Sequence, residues 1–168
     1  EYDVNENISF YVTPIGIYVD SLEEQKVSDE KENISPIISF LSLFTDKSYA
    51  ATKQSKYASY SKSLYSWTGL KIFTAFVECS FYYDGIKATY KGGLYGYATK
   101  GGIINPWSVY DKKYWKEPYG TSYHAYFSCQ GSMGIQYNGN GWSFQDINIK
   151  LRIKCTKSGN IYKESWIN

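Results

Sequence analysis

His124 is the only histidine among the 168 residues, and the chain has three cysteines, Cys79, Cys129 and Cys155. A catalytic Cys-His pair needs a thiolate and an imidazole within hydrogen-bonding reach. Residues 122 to 136 alternate as a strand does, with Cys129 on the apolar side and His124 on the polar side. The two groups are therefore predicted to lie on opposite faces, and no catalytic residue is expected.

The sequence also lacks the usual motifs for metal, phosphate and acid-base chemistry. One histidine and three dispersed cysteines form no zinc motif, and there is no Asp-rich calcium loop. No G-x-S-x-G elbow, phosphate loop or dinucleotide fingerprint occurs. Only seven acidic residues follow residue 35, and they are dispersed, which disfavours a two-carboxylate glycosidase site. We predict no metal, no cofactor and no enzymatic activity.

The three cysteines all fall on the apolar side of their strands and allow at most one internal disulfide. A simple hairpin around residues 138 to 141 would place Cys129 opposite residues 149 to 151, away from Cys155. Two interpretations stay open. One is a bridge from Cys79 to Cys129 or Cys155, and the other is three buried thiols that act as small apolar groups.

A segment rich in Tyr, Trp and Lys offers the best candidate for a binding surface. Indole and phenol rings stack on sugars, insert at lipid headgroups or anchor protein partners, and lysines attract phosphates and carboxylates. The alternative is that these rings only pack and cover a Tyr-rich fold. The predicted binding residues of this segment are Trp107, Tyr110, Tyr114, Trp115, Tyr119 and Tyr123.

A second candidate is a basic row on one strand. Ile147, Ile149, Leu151, Ile153 and Cys155 alternate with polar residues, so Lys150, Arg152 and Lys154 are predicted to project outward together. Such a row suits a cell-wall polymer, an anionic glycan or an acidic membrane surface. Nucleic acid is disfavoured as a partner because the chain has a single Arg.

The elements that position these residues are predicted to be strands. Nineteen Tyr, eight Phe and five Trp favour sheet, and no apolar run reaches the roughly 20 residues that a membrane-spanning helix needs. Strands and turn signals recur about every ten residues. The prediction is an all-β fold, an antiparallel β-sandwich or a barrel-like sheet, with at most one short helix near residues 36 to 45.

A hairpin with a two-residue Asp84-Gly85 turn is predicted from the alternation on both sides of it. In that register Tyr83 opposes Ile86. Glu78 then faces Lys91 as an opposite-charge pair, which contributes about 0.2–1 kcal/mol to stability.

Charge divides the chain into two predicted regions. Residues 1 to 35 hold nine acids against two Lys, and the rest holds seven acids against sixteen bases. We predict an acidic arm over residues 1 to 35, with short strands before a linker at residues 20 to 33, and a basic β-sandwich domain over residues 36 to 168. Residues 47 to 66 are predicted to be exposed strand or irregular structure.

Three stretches carry a resemblance: residues 81 to 85 (FYYDG), residues 140 to 142 (NGW) and residues 153 to 161 (IKCTKSGNI). Together they resemble small exported β-proteins of low-GC Gram-positive bacteria. The resemblance covers about residues 67 to 161 and implies a secreted β-sandwich, without implying any active-site residue. The chain starts at Glu1, which agrees with removal of a signal peptide, so a secreted or cell-surface location is expected.

Three hypotheses for function follow. The first is a secreted, non-enzymatic binding protein that acts on an anionic or glycan cell-surface partner. The second is a membrane-acting toxin or bacteriocin-like protein, in which amphipathic strands would form pores. The third is a structural or adhesion module of a surface assembly.

Overall fold

The computed structural model of the chain describes residues 2–5, 7–27, 53–102, 106–137 and 140–168. Within these residues the chain forms ten β-strands. They are β1 (Tyr2–Asn5), β2 (Ile8–Thr13), β3 (Gly16–Val27), β4 (Gln54–Tyr65), β5 (Lys71–Tyr83), β6 (Ala88–Lys100), β7 (Trp107–Tyr119), β8 (Ser122–Tyr137), β9 (Asn140–Cys155) and β10 (Ile161–Ile167).

Consecutive strands pair with one another in two antiparallel sheets. The first sheet has the order β1-β2-β3-β4-β5-β6 and the second has the order β10-β9-β8-β7. The two sheets pack face to face, with β4, β5 and β6 over β9, β8 and β7. The predicted all-β sandwich is confirmed. The helix predicted near residues 36 to 45 lies outside the described residues.

The core lies between the sheets and is formed by the alternate residues of each strand. Phe73, Val77 and Phe81 of β5 are fully buried, and so are Leu151 and Ile153 of β9. Burying one such side chain is worth roughly 1.5–3 kcal/mol. The inward sides of β5 and β9 were therefore predicted correctly from their alternation.

The hairpin of β5 and β6 forms, but its turn is longer than predicted. Tyr83 pairs with Ala88, so residues 84 to 87 form a four-residue loop. The Asp84 carboxylate accepts hydrogen bonds from the amides of Ile86 and Lys87, both at 2.8 Å, and these bonds stabilise the longer loop. The same two amides lower the pKa of Asp84. Because the register moves by two residues, each side chain keeps its predicted face.

The predicted Glu78–Lys91 pair is wrong. Irregular pairing between residues 78 and 81 places Glu78 opposite Tyr95. Its carboxylate accepts a hydrogen bond from the Tyr57 hydroxyl at 2.7 Å instead. Lys91 donates to the Ser55 hydroxyl at 2.8 Å.

Two segments, one predicted as a linker and the other as exposed strand or irregular structure, are regular strands. Residues 20 to 27, predicted as part of a linker, continue β3 and pair with β4 throughout. Strand β4 was predicted to be exposed or irregular, but Ala58, Tyr60 and Leu64 are fully buried in the core. Tyr18 and Leu22 of β3 join the same core, so this part of the acidic region is built into the first sheet.

A buried ion pair explains why these strands escaped prediction. Asp20 and Lys62 occupy inward positions on β3 and β4, and their side chains are only 3% and 4% exposed. Lys62 Nζ donates to the two Asp20 oxygens at 2.8 and 3.0 Å and to Ser165 Oγ on the opposite sheet at 3.0 Å. The Tyr60 hydroxyl donates to the same carboxylate at 3.1 Å. Charged residues in an inward row remove the apolar alternation by which a strand is recognised.

Candidate binding face

A bulge in β7 divides the aromatic segment between the two faces of the second sheet. Tyr110 pairs with Gln130, whereas the next regular pair is Lys113 with Ser128, so β7 contains one extra residue. Asp111, within the bulge, has a φ of 50°. Because of the extra residue, the inward and outward positions of β7 are exchanged beyond the bulge. Trp107 and Trp115 therefore point to opposite sides of the sheet.

Three of the predicted binding residues lie on the inner side. Trp107 is buried in the core, where its ring centroid lies 6.0 Å from that of Phe73. The prediction that Trp107 is a surface binding residue is therefore wrong, because this side chain packs between the sheets. Tyr123 packs against Phe81 at 6.5 Å. Tyr114 is exposed, but its ring contacts Tyr95 of β6 at 6.2 Å, at the edge where the sheets meet. These residues connect the two sheets.

The other predicted residues lie on the opposite side of the second sheet, which we call the outer face. Tyr110, Trp115 and Tyr119 reach it from β7, and Lys150, Arg152 and Lys154 reach it from β9. Strand β10 adds its own alternate residues in register with β9. The outer face comprises Tyr110, Lys113, Trp115, Glu117, Tyr119, His124, Tyr126, Ser128, Gln130, Asn148, Lys150, Arg152, Lys154, Tyr162, Glu164 and Trp166.

Cations and rings alternate across the middle of the outer face. The rings of Trp115 and Tyr126 are stacked, with centroids 4.9 Å apart and an interplanar angle of 7°. Lys150 Nζ lies 4.8 Å from the Tyr126 centroid and 5.3 Å from those of Trp115 and Trp166. Arg152 lies 5.2 Å from the Trp166 ring and forms an ion pair with Glu164. Cation–π contacts of this kind hold the lysine and the rings in fixed positions.

A groove of about 460 Å³ opens beside this cluster. This volume is within the range of roughly 300–1,000 Å³ that is typical of small-ligand sites. Its lining combines an exposed indole, two ammonium groups, a carboxylate and three amides. The side chains concerned are Trp166, Lys113, Lys150, Asp111, Gln130, Asn148 and Asn168.

His124 lies on the outer face but is only 1% exposed. Tyr119 stacks on its ring at 5.1 Å, and its Nδ1 is 3.0 Å from the Tyr126 hydroxyl. Its Nε2 is buried and has no hydrogen-bond partner among the described residues. Burial, followed by the charges of Arg152 and Lys154, lowers the pKa of His124. The imidazole is therefore a neutral support for the Tyr119 and Tyr126 rings.

The lowered pKa of His124 predicts that the protein becomes less stable as the pH falls below about 6.5. In this range the unfolded chain binds a proton at His124 that the folded protein does not, so the free energy of unfolding decreases as the pH falls. Urea unfolding at several pH values between 5 and 7.5, roughly the span in which histidine titrates, measures the slope. In His124→Phe, which keeps an aromatic ring for Tyr119, the slope should be smaller. Equal slopes in the unaltered protein and in His124→Phe would contradict the assignment of this pH dependence to His124.

The sequence prediction missed Trp166. Trp166 belongs to β10, where Tyr162, Glu164 and Trp166 alternate with inward residues, and this alternation was the available signal. Its place beside Lys150 depends on the register of β10 against β9, in which Trp166 pairs with Lys150.

All three cysteines are buried, free thiols, and the alternative of a disulfide from Cys79 to Cys129 or Cys155 is not formed. Cys129 pairs with Ile149, as the hairpin predicted. Burial raises the pKa of Cys79 and Cys155 to about 12 and that of Cys129 to about 11. The thiols are therefore protonated and unreactive near neutral pH.

Two features are absent from the part of the chain that the structure describes. There, no group of three or more His, Cys, Asp or Glu side chains is placed to hold a metal ion. Nor do the described residues form a helix with the length and apolar character needed to cross a membrane. Comparison of the chain with protein-family models, with curated proteins and with solved structures finds no match.

Proposed function

We propose that this protein is a non-enzymatic binding protein of the cell surface that recognises an anionic glycan polymer through its outer face. The observation that carries the proposal is the groove beside Lys150 and Trp166, where an indole, amides and ammonium groups converge.

The groove supplies the contacts that a sugar needs. The exposed Trp166 ring offers an apolar surface against which the C–H face of a pyranose can pack. The amides of Gln130 and Asn148 can both donate to and accept from hydroxyl groups, and the Asp111 carboxylate accepts. A polymer can continue along the row of Trp115, Lys150 and Trp166, which crosses the strands.

The lysines favour a charged polymer over a neutral one. Lys113 and Lys150 both line the groove. Arg152 is neutralised by Glu164, but Lys150 has no ion-pair partner within the described ranges and contacts only rings. A sugar carboxylate or a phosphodiester would pair with Lys150 beside Trp166.

The state of the nucleophiles supports a binding role over a catalytic one. The thiols of Cys79, Cys129 and Cys155 have raised pKa values because they are buried. His124 is covered by Tyr119 and bonded to Tyr126, so its imidazole does not face the groove.

Affinity electrophoresis against a carboxylated glycan, a phosphate-bearing teichoic acid and neutral dextran tests the proposal. We expect retardation by the two anionic polymers that weakens as the salt is raised, because surface charges are screened at about 8–10 Å in 0.1–0.15 M salt. Trp166→Ala should weaken binding about 30-fold, corresponding to about 2 kcal/mol. Lys150→Gln should weaken binding and flatten its salt dependence.

Tyr95→Ala is the control, because Tyr95 is an exposed ring on the other sheet, 50% exposed against 41% for Trp166. It should bind as the unaltered protein does. Absence of retardation at low salt, or unchanged binding by Trp166→Ala, would rule out the outer face as the site.

A further inference from the structure

The turn between β4 and β5 is a rigid structure that presents apolar side chains to solvent. Four hydrogen bonds close it: Ser66 N to Leu70 O and Gly69 N to Ser66 O, both at 2.9 Å, Leu70 N to Ser66 Oγ at 3.1 Å, and Ser66 Oγ with Thr68 Oγ1 at 2.8 Å. Gly69 has a φ of 79°, a conformation that glycine adopts without strain. The turn thus has a fixed conformation in which its large side chains are held outward.

Trp67 and Leu70 are those side chains, and they are 58% and 70% exposed. Trp67 Nε1 donates to Pro14 O at 3.2 Å, which joins this turn to the turn between β2 and β3. Val12, next to that second turn, is also exposed. We call Val12, Pro14, Trp67 and Leu70 the apolar rim. Exposed apolar residues that are grouped in this way indicate an interaction site, unlike single ones.

The charged side chains that the first sheet places around the apolar rim are all lysines, and the second sheet places Asp146 beside Pro14 in the neighbouring cavity. Lys71 begins β5 directly after the turn, and Lys100 ends the neighbouring β6 at the same end of the sheet, where it pairs with Phe73. Residues 11–19, 65–77 and 95–102, which form this end of the first sheet, contain no Asp or Glu. A positive surface with protruding apolar side chains is complementary to a negatively charged surface that has an apolar interior.

We propose that this end of the sandwich docks on an anionic lipid bilayer. Trp67 lies at the headgroup level, as Trp does in membrane interfaces, and Leu70 enters the acyl region. Lys71 and Lys100 contact lipid phosphates.

The size of the apolar rim favours a bilayer over a protein partner. Specific protein interfaces take about 20–30 residues from each side. The apolar rim supplies only four residues, from two turns. A few inserted apolar groups with flanking cations are sufficient for reversible membrane attachment. This site is separate from the outer face, so the inference is independent of the proposed glycan binding.

Vesicle sedimentation tests the inference. The full chain is mixed with vesicles of phosphatidylcholine alone or with phosphatidylglycerol added. We expect sedimentation with the anionic vesicles, reversed by salt, and little with the neutral ones. The double variant Trp67→Ala/Leu70→Ala should lose at least about tenfold in affinity, because it removes two interfacial side chains. Charge reversal by Lys71→Glu and Lys100→Glu should abolish binding.

Ile86→Ala is the matched control, because Ile86 is 69% exposed in the turn at the opposite end of the first sheet. It should sediment as the unaltered protein does. Quenching of tryptophan fluorescence by brominated lipid, lost in Trp67→Phe, would place that ring in the bilayer. Equal binding to both vesicle types, no binding to anionic vesicles at low salt, or unchanged binding by Trp67→Ala/Leu70→Ala would overturn the inference.

Discussion

Replacing Asp20 by alanine is expected to lower the free energy of unfolding by about 3–5 kcal/mol, because it leaves the Lys62 ammonium group buried without its carboxylate partner. Lys62 is 4% exposed and directs two of its contacts to Asp20. The Tyr60 hydroxyl loses the same acceptor. Urea unfolding followed by circular dichroism measures the change.

Glu24→Ala is the matched control for Asp20→Ala. Glu24 forms the equivalent ion pair with Lys56 on the same two strands, at 3.0 Å, but both side chains of that pair are partly exposed. Its loss should cost less than about 1 kcal/mol. The double variant Asp20→Leu/Lys62→Met, which removes both charges, should recover most of the stability lost in Asp20→Ala. Similar losses in Asp20→Ala and Glu24→Ala would show that burial does not distinguish the two pairs.

Replacing Gly159 by alanine is expected to lower the free energy of unfolding by about 3 kcal/mol, from left-handed strain of about 1–2 kcal/mol and overpacking of about 1–3 kcal/mol. Gly159 has a φ of +80°, and an added Cβ would lie 2.5 Å from atoms of the Tyr83 ring. This contact connects the loop between β9 and β10 to the end of β5, where Gly85 N donates to Lys157 O at 2.9 Å. The added methyl group would therefore separate the two sheets at this end.

Gly69→Ala separates the contribution of backbone strain from that of overpacking. Gly69 has nearly the same φ, +79°, but an added Cβ would meet no atom within 4 Å. This variant should show only the backbone strain, about 1–2 kcal/mol. Equal thermal stabilities of Gly69→Ala and Gly159→Ala would mean that the loop moves away from Tyr83 at no cost.

The sequence was sufficient to predict the strands that have one apolar side. In β9 the residues from Ile147 to Cys155 alternate without interruption, and the structure buries the predicted side. The partner of Cys129 was also predicted, because a short hairpin leaves few registers available. In these cases the residue pattern within one strand is enough to determine which side of that strand is buried.

The binding face was predicted in part. Lys150, Arg152 and Lys154 project together, as the alternation of β9 requires. Trp107 and Trp115 were assigned to one surface as members of one aromatic segment, but the bulge at Asp111 shifts the alternation between them. A single extra residue in one strand is not visible in the residue pattern of that strand, because it is defined by pairing with β8.

Composition and alternation in the sequence thus determine that this chain forms sheets, which side of most strands is buried, and that one strand carries a basic row. Only the tertiary structure decides that Trp166 meets Lys150, that β7 turns Trp107 inward, and that Asp20 and Lys62, 42 residues apart, can occupy the interior. The physical reason is that a buried charge is tolerated only with a partner at hydrogen-bonding distance. That partner comes from another strand, so the contact depends on the register between strands and not on the pattern within either one.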